Sequence, residues 1–121
     1  MHAAIWPTAA YAPATPKFLA TAGPAELTAE AEQYSHDILA HYGGNIKLYN
    51  AFNEPDLSQA YSFTIDELEN LVSAAIRGAR QGDPKVMDFV NVSIPVFASL
   101  RYEWAAAARR LQLSIPGCKW L

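Results

Sequence analysis

Past Gly23-Pro24 the apolar residues Leu27, Ala31, Tyr34, Ile38 and Tyr42 step by four, three, four and four positions. That is the spacing of one helical face, so a helix is predicted there. Gly43-Gly44 should close it, since glycine is favoured just beyond a helix C-terminus. The run Ile46-Lys47-Leu48-Tyr49-Asn50-Ala51-Phe52 reads as a strand, stopped by Asn53-Glu54-Pro55-Asp56. A second helix is predicted to open at Thr64, because Thr64 and Glu67 have the spacing of a capping box. Its apolar face is Leu68, Leu71, Val72, Ala75, Ile76 and Ala79, and Gly82-Asp83-Pro84 should end it. Residues 86–92 form the next expected strand, and a third helix carries Leu100, Trp104, Ala107, Ala108 and Leu111 on one face.

The flanks are less regular. Ala3-Ala4-Ile5-Trp6 is a short apolar run that fits the end of a buried strand. Pro7, Pro13, Pro16 and Pro24 follow closely, and proline lacks the N–H that a ladder or helix interior needs, so residues 7–23 should be an irregular loop. The final stretch, 115–121, has no clear period.

Strand and helix therefore alternate three times. Such alternation argues for an α/β fold of parallel strands joined by right-handed crossovers. The strands are almost continuously apolar, as expected where both sheet faces are covered. A closed barrel needs eight such units and about 250 residues, so a chain of 121 residues reads as a piece of something larger.

Composition narrows the class. Half of the residues are apolar (51%) and 17% are charged, which suits a single globular domain. Nine basic against twelve acidic residues give a net charge of −3, with no Lys/Arg cluster to favour a nucleic acid or an anionic membrane. No apolar run approaches the roughly 18–20 residues that span a bilayer. Cys118, the single cysteine, rules out an internal disulfide and a cysteine-based zinc site. The N-terminus lacks a basic n-region and does not read as a signal peptide.

The most informative chemistry is Asn53-Glu54-Pro55, where a strand ends. In parallel barrels the active site lies at the carboxyl ends of the strands, so Glu54 would face the mouth. Pro55 biases Glu54 towards an extended backbone, and Asn53 offers an amide to a hydroxyl-rich ligand.

An Asn-Glu pair ending a barrel strand resembles the acid/base position of retaining glycoside hydrolases. His2-Ala3-Ala4-Ile5-Trp6 is similar in spacing to the His-x-x-x-Trp of strand three in glycoside hydrolase family 10, the xylanase family. The Pro-rich stretch from Pro13 to Phe18, the Tyr42-Gly43-Gly44 turn, and Asp83-Pro84 before a strand containing Asn91 also look like that family. Pro7 stands where the family usually has a second His, and Tyr49-Asn50 where it has Trp-Asp. The Pro after the Glu is more usual in related families of the same clan.

The resemblance implies a partial (β/α)8 TIM barrel of about three β/α units, strands three to five, with residues 1–121 a fragment of one catalytic barrel. It implies Glu54 as general acid and then base, Asn53 donating to the sugar 2-hydroxyl, and His2 and Trp6 lining the subsite of the reacting sugar. The substrate would be a β-linked polysaccharide, no cofactor or metal is expected, and the parent protein would be secreted.

Retaining hydrolysis needs a second carboxylate about 5–5.5 Å from the first. Asp56 is too near Glu54 in sequence; Asp66, Glu67 and Glu69 suit the start of a helix; Asp88 sits inside a strand, at the wrong end. The nucleophile is therefore expected outside this chain, leaving the chain alone inactive. His36 and His41 read as solvated helix residues, and Ser58 and Ser93 have no base at readable spacing. Tyr11, Phe18, Tyr61 and Phe63 could stack on sugars, whereas Trp104 reads as core. The alternative reading is a non-catalytic carbohydrate-binding module, or a half-barrel completed by self-association.

Overall fold

The computed structural model describes residues 22–53, 64–91 and 119–120. Within them the chain is mixed α/β: helix α1 (Pro24–Tyr42), strand β1 (Leu48–Asn53), helix α2 (Ile65–Gly82), strand β2 (Met87–Asn91) and strand β3 (Lys119–Trp120). The strands form one sheet in the order β1-β2-β3, and both pairings are parallel. Helix α2 carries the chain from β1 to β2, as a parallel pairing requires. The expected strand near Ile5, the loop of residues 7–21 and the third helix around Trp104 lie outside the described residues.

Helix α2 follows its sequence closely. The Thr64 hydroxyl accepts the Glu67 N–H at 3.2 Å, and the Glu67 carboxylate accepts the Thr64 N–H at 2.7 Å, completing the capping box. All six residues of the expected apolar face are buried. Helix α1 starts with Pro24, where the absent N–H costs nothing. It ends at Gly43 and Gly44, both at positive φ (24° and 73°).

The buried face of α1 differs from the expected one. Leu27, Ala31, Ser35 and Leu39 are buried and Ile38 partly so, whereas Tyr34 and Tyr42 are 46% and 43% exposed. The buried stripe therefore runs about one position round the helix from the sequence pattern. Ser35 is admitted because it is small and has a partner: the Tyr49 hydroxyl donates to its Oγ at 3.3 Å.

Two glycines fix how the helices meet. A Cβ at Gly78 would collide with the Glu32 carbonyl, and one at Gly82 with the His36 carbonyl. Backbone thus lies on backbone along this line, with Ala31, Ser35, Ala75 and Ala79 buried nearby in sequence on the two helices. Asp83 secures the end of the pair, its two carboxylate oxygens accepting the N–H groups of Gly44 (3.0 Å) and Lys85 (2.9 Å).

Strand β1 begins two residues later than the expected 46–52 and includes Asn53. The terminal stretch 115–121, without a period in sequence, contains β3, which pairs Lys119 with Phe89 and Trp120 with Val90. Two residues are too few to display an alternation.

Candidate functional site

The parallel ladder between β1 and β2 starts regularly, with Leu48 opposite Met87, Tyr49 opposite Asp88 and Asn50 opposite Phe89. It then slips: Phe52 pairs with Val90 and Asn53 with Asn91, leaving Ala51 as an extra residue in β1. Such a bulge inverts the alternation of the residues beyond it.

Faces can be assigned from contacts. Tyr49 reaches Ser35 on α1, and Asp88 reaches Arg80 on α2, so this rung faces the helices. Ala51, Phe52 and Val90 belong to the core cluster formed with those helices. Two consecutive residues of β1 facing one side is the signature of the bulge. Phe89 is buried but stands apart from that cluster, and Asn50 is its fully buried register partner. The second face of the sheet therefore carries the rungs Leu48/Met87 and Asn50/Phe89.

Position 53 closes β1 and position 91 closes β2, so the two asparagines are partners at the carboxyl edge of the sheet. In parallel α/β architectures that edge is where ligands bind. Glu54 follows Asn53 directly in the sequence. Glu54, His2 and Trp6 themselves lie outside the described residues, as do Asp56, Tyr11, Phe18, Tyr61, Phe63, Ser58, Ser93, Trp104 and Cys118.

Asp88 and Glu67 are held in structural contacts. Asp88 is the only carboxylate on the described strands; it is 1% exposed and held by Arg80 through Nε–Oδ2 (2.6 Å) and Nη2–Oδ1 (3.1 Å). It faces the helices from the second position of β2, at the opposite end of the strand from Asn91. Glu67 is occupied by the cap, and hydrogen bonds from Thr64 hold its carboxyl below the usual range. Burial pushes the Tyr49 phenol well above its ordinary value, only partly offset by the bond to Ser35.

His36 and His41 lie on α1. His36 Nδ1 lies 2.9 Å from Asp37 Oδ1, and that bond, with a second from Gln33, lowers the Asp37 carboxyl. His41 makes an edge contact with Tyr42, ring centres 4.8 Å apart. Among the described residues no group of three or more His, Cys, Asp or Glu is placed to hold a metal ion.

Sequence reasoning placed Asn53 at a strand end but did not read the bulge or the pairing with Asn91. A cue was present: asparagine is depleted in strands, yet β1 and β2 together carry Asn50, Asn53 and Asn91. No family model, curated protein or solved structure matches the chain.

Proposed function

We propose that this chain is part of a retaining glycoside hydrolase barrel acting on a β-linked polysaccharide, most similar to a xylanase. The single observation that carries the reading is the position of Asn53. It ends a strand at the carboxyl edge of a parallel sheet, and the sequence continues with Glu54. Strand order supports the same reading, because β1-β2-β3 follows the chain without reversal, as successive strands of a (β/α)8 barrel do. These would be about three of its eight units.

In the proposed mechanism Glu54 protonates the leaving glycosidic oxygen and later removes a proton from the attacking water. Both tasks at neutral pH require a carboxyl whose pKa stands above the ordinary glutamate value. Asn53 donates to the 2-hydroxyl of the reacting sugar, and His2 and Trp6 line its subsite. The nucleophile belongs to another strand of the barrel, since Asp88 is committed to Arg80 on the helix side.

The test is Glu54→Gln in the full-length protein that carries this chain. Hydrolysis of xylan should fall by roughly 10²–10⁴-fold, the usual contribution of a general acid. Cleavage of an aryl xyloside with a good leaving group should be spared in its first step, with azide restoring turnover. Xylan hydrolysis undiminished in the variant, or absent from the wild type, overturns the proposal.

A further inference from the structure

We draw no further inference here: the strongest candidate, the exposed apolar rung of Leu48 and Met87 at the amino edge of the sheet, is an open surface patch, and nothing among the described residues shows what covers it.

Discussion

Arg80 and Asp88 show how one residue choice constrains its neighbours. Asp88 sits where an apolar residue would serve the helix-side core, and among the described residues the two bonds from Arg80 compensate its removal from water. Arg80→Ala should therefore destabilise the fold by about 3 kcal/mol, measured by urea unfolding, because the carboxylate is left buried and unpaired. Replacing both residues with apolar ones should recover most of that loss, and failure to recover would mean that the pair also orients the strand. The Thr64–Glu67 box makes a pH-dependent contribution. Because the folded-state pKa of Glu67 is lowered, its stabilisation is complete above the ordinary glutamate range and is lost as pH falls through the lowered value. Thr64→Ala should lower the melting temperature at pH 7 and flatten its decline in acid, a comparison that needs only thermal scans at several pH values.

At the scale of elements, the α1–α2 contact depends on positions where side chains are absent. Gly→Ala inside an exposed helix ordinarily stabilises it by about 1 kcal/mol. At Gly78 the sign should reverse, because the added carbon meets the Glu32 carbonyl of α1 rather than solvent. Gly78→Ala should cost about 1–3 kcal/mol, and equal or greater stability in denaturant unfolding would show that the helices separate easily. Element types were largely legible in the sequence: α2 from its cap and six-residue stripe, α1 from its proline start and glycine end. The face of α1 was not. Tyr34 and Tyr42 count as apolar but tolerate exposure through their hydroxyls, while Ser35 counts as polar but is small and satisfied by Tyr49. The close approach at Gly78 and Gly82 was also unread, since it depends on which helix lies opposite.

For the molecule as a whole, the α/β class and the parallel sheet could be read from alternation alone, because a parallel pair needs a crossover and the chain supplies helices of suitable length. The ladder slip could not, because a bulge is a relation between two strands and neither sequence contains it separately. The place of Asn53 at the end of an apolar run was legible, but its pairing with Asn91 was not, since only the slip supplies it. The pairing has a further consequence, for how the chain folds. Leu48 and Met87 are 39 residues apart in sequence, and every later rung of β1 and β2 is separated almost as widely. Among the described strands there is therefore no local hairpin to form first, and the cost of closing a long loop is met before any of their rungs is made. Helix α2, with its own cap, shortens that search by holding the intervening chain in a compact rod. Topology predicts an order of events, helices first and strand pairing afterwards, which φ-values near zero for the β1–β2 rungs would bear out.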